Sequence, residues 1–422
     1  MFGKGFLKME RTILHVDANC FYASVECLYN PEIREKPEAV VGDIEKRHGI
    51  VLTANYIAKK YNIKTGDVVW EAKRKCSQLV VVEANMPLYI KFSKLMNKIL
   101  LRYSNLVESF GCDESWVDVT NSKRLFGDGM EIARQISDAI KYELGITVSI
   151  GVSFNKVFAK LGSDLKKPDA ISEITRDNYK DIVWKLPASD LLYVGRKTKE
   201  KLEQRNIKTI GDIANAKPEN KRAWLGKKGL MIWDFANGRD YSPVSEYSEK
   251  NLVKSVGNST TTHRDLVDNE DVKMVMYVLS DSVARRMREQ GLYGKTVSIF
   301  VKDNQLFSFT RQCTLNEYTN LEHTISETAF SLFKDNYNWY YPVRAVGVTV
   351  SDISLGEKYG QISINCDENK REQLLKLEMV QDELKARFGS FCVRRGSLIK
   401  DVELTALDPK ITHTVHPVSY LK

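Results

Sequence analysis

The sequence has no run of about 18 apolar residues, so nothing in it reads as a membrane-spanning helix. Its seven cysteines are odd in number, scattered from Cys20 to Cys392, and never spaced Cys-x-x-Cys. That speaks against a zinc ribbon and a disulfide framework, so a reducing cytoplasm is the expected setting. No Gly-x-x-x-x-Gly-Lys-Ser/Thr loop is present, which leaves ATP-driven work without support. Histidines are few, six in all, and only His413 and His416 lie close together, without the further ligands a metal site needs. The opening stretch is not expected to be a signal peptide, because Lys8 breaks its short apolar run. No internal repeat or low-complexity tract appears.

What is present is ordinary globular composition over 422 residues, 43% apolar and 28% charged, enough for about three domains. The net charge is +8 and unevenly placed. Residues 175–240 carry 15 basic and 9 acidic side chains, whereas residues 241–356 carry 12 and 14. The densest stretch, Arg196 to Lys228, has eleven basic and four acidic residues. A solvated helical face is one reading of such a run, and a footprint for a phosphate backbone is the sharper one.

Strand-like and helix-like segments alternate over the first 170 or so residues, which predicts an α+β core. Thr12 to Asp17 reads as a buried strand ending on a carboxylate. Leu106–Phe110 and Ser115–Val119 read as a hairpin-like pair reversing at Gly111-Cys-Asp-Glu114. Helices are expected over about 129–143 and from Asn155 to just before Pro168, around the strand Thr147–Gly151. Residues 177–237 turn helical in short pieces, and 241–249 break periodicity as a linker. A second α+β set follows: a strand near Lys254, a helix over 271–290, strands at 296–301 and 306–310, a helix over 325–333 and a strand at 343–350. The charged C-terminal segment from about 356 holds one helix, about 370–388.

An acid directly after Ile-Leu-His-Val is costly to bury without a partner. If the first strand neighbours the hairpin, Asp17, Asp113 and Glu114 meet at one sheet edge. Oxygen ligands without cysteine or histidine suit hard divalent cations such as Mg²⁺.

These residues also carry a resemblance. His15-Val-Asp-Ala-Asn-Cys-Phe-Tyr-Ala-Ser-Val-Glu26, Ser109-Phe-Gly-Cys-Asp-Glu-Ser-Trp-Val-Asp118 and the stretch from Gly151 to Pro168 resemble, in order, the three motifs of Y-family translesion DNA polymerases. The likeness covers about residues 10–355 and is nearest to the UmuC-like UV-damage repair branch of Gram-positive bacteria, their plasmids and phages. It implies a multidomain α+β right hand: palm at 1–21 and 85–174, small fingers at 22–84, helical thumb at 175–240, and an α+β little finger at 250–355. It further implies template-directed DNA synthesis past lesions, of low fidelity and without a proofreading domain, in the DNA damage response. By motif position, Asp17, Asp113, Glu114 and the Ala18 carbonyl would hold two Mg²⁺, with Mn²⁺ able to substitute.

The resemblance implies further roles. Phe21 and Tyr22 would lie at the nucleotide, with Tyr22 under the sugar excluding a 2′-hydroxyl. Thr53, Tyr56, Lys59 and Lys160 would meet the triphosphate, with Lys156 the alternative to Lys160. Taken alone, Tyr56 reads as a half-buried helix aromatic and Lys59 as a solvated charge. Tyr193-Val-Gly195-Arg196-Lys197-Thr198-Lys199 resembles a helix-hairpin-helix turn that would hold primer–template DNA, although Tyr193 stands where glycine is common. In the next domain, Arg285, Arg286 and Arg288, or Lys295 and Arg311, would supply basic patches. Gln361, Ile362 and Ile364 match a sliding-clamp peptide whose aromatic anchor is replaced by Asn365. The competing readings are an inactive DNA-binding accessory protein and another palm-fold nucleotidyl enzyme.

Overall fold

The computed structural model describes residues 10–43, 49–249, 252–356 and 368–409. They form two compact units, one of residues up to 249 and one of residues from 252 on, residues 43 and 49 counting with the second. Among the described residues no helix is long and apolar enough to cross a membrane.

The first unit holds β1 (Ile13–Ala18), β2 (Glu38–Val41), β3 (Val51–Ala54), β4 (Val80–Glu83), β5 (Val107–Ser109), β6 (Glu114–Asp118), β7 (Val148–Ser153) and β8 (Ile171–Ile174). Five of them make one sheet in the order β5-β6-β1-β7-β8, and β3-β2-β4 make a small separate one. β1 is central in its sheet, antiparallel to both β6 and β7. Its β-branched and aliphatic residues are fully buried, and the helices Met86–Leu100 and Gly129–Leu144 pack their apolar faces on the same core. The second of these helices starts on a capping box, Asp128 with Glu131.

The helix Lys156–Leu165 also crosses this sheet, and two glycines set its distance. A Cβ on Gly151 would stand 1.9 Å from the Ala159 carbonyl oxygen, and one on Gly162 would stand 2.9 Å from Gly151 Cα. Backbone meets backbone here, so a side chain has no rotamer that escapes. Gly151→Ala is therefore expected to destabilise the first unit by about 3 kcal/mol or more and to displace Lys160. Urea unfolding of the purified variant measures it.

Residues 179–236 form short helices, among them Arg196–Glu203, Ile210–Asn215, Pro218–Leu225 and Lys227–Ala236, and share one apolar core with Phe154, Phe158 and Leu161.

The second unit is a four-stranded sheet, β11-β10-β12-β9, built from β9 (Ser255–Leu266), β10 (Leu292–Asp303), β11 (Ser308–Thr319) and β12 (Val343–Leu355). The helices Asn269–Glu289 and Glu322–Asn336 pack on it through a continuous apolar core. The C-terminal segment is part of this unit. Its helix, Glu368–Phe388, places Glu378 and Asp382 on the buried guanidinium of Arg288, and Lys385 2.6 Å from Asp281. The Glu322–Asn336 helix has no side-chain cap from its own Leu321. Glu378 supplies it instead, accepting from the Glu322 N–H at 2.9 Å.

These pairings correct one expectation. Arg285 is buried, the side chain of Arg288 is covered in internal ion pairs, and Arg286 donates to Asn258 and to the Gly257 carbonyl. The arginine run thus holds the unit together and is not a patch for a polyanion. Gln361, Ile362, Ile364, His413 and His416 lie outside the described residues.

Candidate active site

The β1–β6 ladder sets Asp17 opposite Glu114, and the Ala18 N–H donates to the Asp113 carbonyl at 2.9 Å. The assumed neighbourhood of first strand and acidic reversal is therefore present, with all three carboxylates at one end of the central strand pair. Alternation along β1 adds His15 to the same face, two residues before Asp17. Ligand atoms of His15, Asp17 and Glu114 lie within 4.8 Å of one another. Asp113 stands beside this group and is not in it.

Two lysines at the far edge of the Gly151 contact balance the acids. Lys160 meets Glu114 Oε2, and Lys167 Nζ lies 2.9 Å from Asp17 Oδ2. Among the described residues no lysine or arginine pairs with Asp113. Burial, and then the charges of Glu114 and Asp17, push its carboxyl up to about 6. Asp17 is raised chiefly by burial, with Lys167 pulling the other way. Glu114 moves down: burial would raise it, and the hydrogen bond with His15 and the charge of Lys160 outweigh that. Burial lowers His15.

An oxygen-rich edge with one carboxyl short of positive charge fits hard divalent cations, so the residues present suit the group the motifs imply. Asp17, Asp113 and Glu114 are the residues that would hold it.

Of the expected nucleotide contacts, Lys160 is on Glu114 itself, and Tyr22 lies close by. Its ring stacks on Tyr89 at 4.3 Å between centroids, and its hydroxyl lies 3.2 Å from Cys112 Sγ, beside Asp113. Phe21 is 2% exposed, with its ring packed in the core. Asn55 caps the four-residue helix Tyr56–Lys59, accepting from the Ala58 N–H. That helix turns Tyr56 toward Asn19, with O–H to Oδ1 at 3.2 Å, and Lys59 toward Cys20, with Nζ to Sγ at 3.2 Å. Thr53 is half-buried on β3. The alternative lysine, Lys156, is spent elsewhere: it is buried, 2.6 Å from Glu108 and over the Trp116 ring.

In the helical region, Gly195 starts the helix Arg196–Glu203, and Arg196 and Lys199 make exposed i,i+4 pairs. Tyr193 adopts φ +69°. The turn thus keeps the left-handed backbone that glycine would serve, at a cost of about 1–2 kcal/mol.

The residues missed in the sequence are His15, Asn19 and Lys167. The period of two along β1 could have found His15. The Lys-Lys-Pro end of the third motif held the signal for Lys167.

A model of the impB/mucB/samB family matches residues 16–164, and one of that family's C-terminal domain matches residues 253–364. The chain is 52% identical over 393 residues to a protein named DNA polymerase IV from Acetivibrio thermocellus, covering 93% of this chain and 98% of that one. It is 34% identical over 395 residues to DNA polymerase IV 1 of Bacillus subtilis, covering 93% and 94%. A solved Y-family DNA polymerase chimera aligns with a TM-score of 0.73 at 23% identity, over 82% of this chain and 100% of the other.

The chain belongs to the impB/mucB/samB family of Y-family DNA polymerases. It is a DNA-directed DNA polymerase of the translesion class, with the palm, fingers, thumb and little finger of that fold, and like its family it depends on divalent metal.

Proposed function

We propose that Asp17, Asp113 and Glu114, with the Ala18 carbonyl, hold two Mg²⁺ ions at which a primer 3′-oxygen joins the α-phosphate of a deoxynucleotide and pyrophosphate leaves. The observation that carries this is the antiparallel register that sets Asp17 against Glu114 with Asp113 alongside. When bound, such a pair of ions supplies a more acidic attacking hydroxyl and charge for the leaving group.

The chain's own residues do the rest. Lys160 and Lys167, paired with carboxylates in the free protein, turn to phosphate once the acids are otherwise engaged. Tyr56 and Lys59 bring the short helix against Asn19 and Cys20 and form the other wall of the triphosphate site. Tyr22 floors the sugar. Lys59 offers a point charge and no fork, so its hold is not bidentate.

The palm is placed at residues 1–21 and 85–174, the fingers at 22–84, the thumb at 175–240, the linker at 241–249 and the little finger at 250–355. The division is supported by the separate β3-β2-β4 sheet and by the change to short helices from residue 179 on. Absence of a disulfide among the described cysteines is compatible with a cytoplasmic setting. Primer extension by purified protein with Mg²⁺ on a template carrying a lesion tests the whole reading. An inactive accessory protein would bind this DNA and not extend it, and a nucleotidyl cyclase would consume nucleotide without it.

The Arg196 turn is placed on template–primer DNA, holding phosphates without reading sequence. Replacing Arg196, Lys197 and Lys199 by alanine is expected to weaken binding and lower the slope of log K against log[salt] by about 2–3. A fluorescence-anisotropy salt series measures it. A sliding clamp is the further partner proposed, through Gln361, Ile362 and Ile364. Asn365→Phe is expected to tighten clamp binding about tenfold or more, read by peptide titration.

A further inference from the structure

The second unit holds a cavity of about 320 Å³ that none of the candidate metal or nucleotide residues lines. Its walls are the helices Asn269–Glu289 and Glu368–Phe388, the first turn of Glu322–Asn336, and side chains from residues 390–409. The volume lies at the small end of the range of about 300–1,000 Å³ that small-molecule sites occupy. Leu377 and Phe391, both half exposed, border it and leave it open to solvent on their side.

Two buried polar atoms on this wall lack a hydrogen bond. Glu322 is 6% exposed; its Oε2 meets Arg395, and its Oε1 has no partner among the described residues. Arg285 is 8% exposed, and its Nε–H is equally unmatched, because Glu289 balances its charge from 3.3 Å without closing a hydrogen bond. Burial pushes the Glu322 carboxyl up to about 7 even with Arg395 alongside, so that ion pair leaves part of its demand unmet. Buried polar groups are as a rule satisfied, and two orphans on one cavity wall point to an occupant.

The charges around the cavity decide what kind. Four acidic and four basic side chains line it. Asp281 is held by Lys385, Glu322 by Arg395 and Glu378 by Arg288. An ionic ligand would therefore enter a balanced site and bring a charge with no counterpart. Between the pairs the wall is apolar, with Tyr277, Leu374, Leu377 and Leu398. The fitting molecule is neutral, has an apolar body, and carries one donor and one acceptor. A carboxamide has both, on one planar group.

We propose that this cavity is a binding site for a small neutral carboxamide on an apolar or aromatic body, its N–H given to Glu322 Oε1 and its carbonyl oxygen accepting from Arg285 Nε. Bound there, the ligand touches both the Asn269–Glu289 helix and residues 390–409, and so fastens the C-terminal segment to the rest of the unit.

The test is calorimetric titration of the full-length protein, without DNA, with benzamide as probe and benzoate and benzylamine as its charged counterparts. Benzamide is expected to bind with a dissociation constant of about 1 mM or below, and both counterparts at least about tenfold more weakly. Leu374→Trp fills the cavity from a half-buried helix position and is expected to abolish binding while leaving primer extension at the wild-type rate. Arg285→Lys keeps the charge, loses the Nε donor, and is expected to weaken binding about tenfold. The two variants reach the cavity from different helices, so either decides the matter if the other does not fold. Absence of benzamide binding, wild-type affinity in Leu374→Trp or in Arg285→Lys, or equal binding of a charged counterpart overturns the site.

Discussion

Asp113→Asn is expected to end nucleotide incorporation and, in the absence of metal, to make the protein more stable. The loss of activity follows from removing one of three carboxylates for cations worth several kcal/mol to the transition state, so at least about 10³-fold. The gain in stability follows from the carboxyl being pushed up to about 6 from its ordinary 3.8 by burial, Glu114 and Asp17. The folded state thus holds this proton more tightly than the unfolded chain. Below the unfolded pKa both states are protonated and no penalty exists. As pH rises through the folded value, the folded protein takes on a buried charge and loses on the order of 3 kcal/mol. Asparagine never takes on that charge. The variant's melting temperature in EDTA should therefore exceed the wild type's by several degrees at pH 7.5 and match it near pH 4. Adding Mg²⁺ should narrow the difference, because a cation stabilises only the protein that binds it. Equal melting temperatures at pH 7.5 in EDTA would mean that Asp113 is already neutralised by a group of the protein itself.

The same trade explains how the site could be read from sequence. Three acids survive at a sheet edge against their own repulsion, in a run of residues otherwise chosen for burial, and that conflict is visible in Ile-Leu-His-Val-Asp and Gly-Cys-Asp-Glu. The strand pairing that joins them was assumed from the pattern and is found in the register Asp17 to Glu114. Elements with one buried face were legible to within a few residues, as with the expected 129–143 helix found at Gly129–Leu144. Edge strands were not. β11 runs twelve residues, Ser308–Thr319, and is exposed along most of them, so its polar sequence shows no period of two, and only residues 306–310 read as strand. β9 is hidden in the same way by Gly-Asn-Ser-Thr-Thr-Thr. The arginine run failed for a different reason. Charge density is local in sequence, whereas its use is decided by what packs there, and Glu378 and Asp382 come from about 90 residues further on. The two lysines that face the acids are likewise a tertiary fact, resting on how closely Gly151 and Gly162 let one helix approach.

Tyr22→Ala is expected to admit ribonucleotides while deoxynucleotide incorporation continues. The ring is held on one side by Tyr89, stacked at 4.3 Å and 15°, and Tyr89 is itself fully buried with its hydroxyl on Glu26. Tyr22 therefore cannot retreat into the core, and its hydroxyl is tethered at Cys112, one residue from Asp113. A sugar placed by metals at Asp17 and Asp113 would rest against the remaining face, and an added 2′-oxygen would have to displace a ring that has nowhere to go. Overpacking of that kind costs about 1–3 kcal/mol, or roughly 5- to 150-fold in discrimination. Alanine opens the volume and loses the stack, about 1 kcal/mol, without touching a carboxylate. Tyr22→Phe separates the two parts. It keeps the ring and drops only the Cys112 contact, so it should retain most of the discrimination. Single-nucleotide insertion with paired ribo- and deoxynucleoside triphosphates gives the ratio of kcat/KM for each protein. A ratio in Tyr22→Ala equal to the wild type's would leave Tyr22 as a partner of Tyr89 and nothing more.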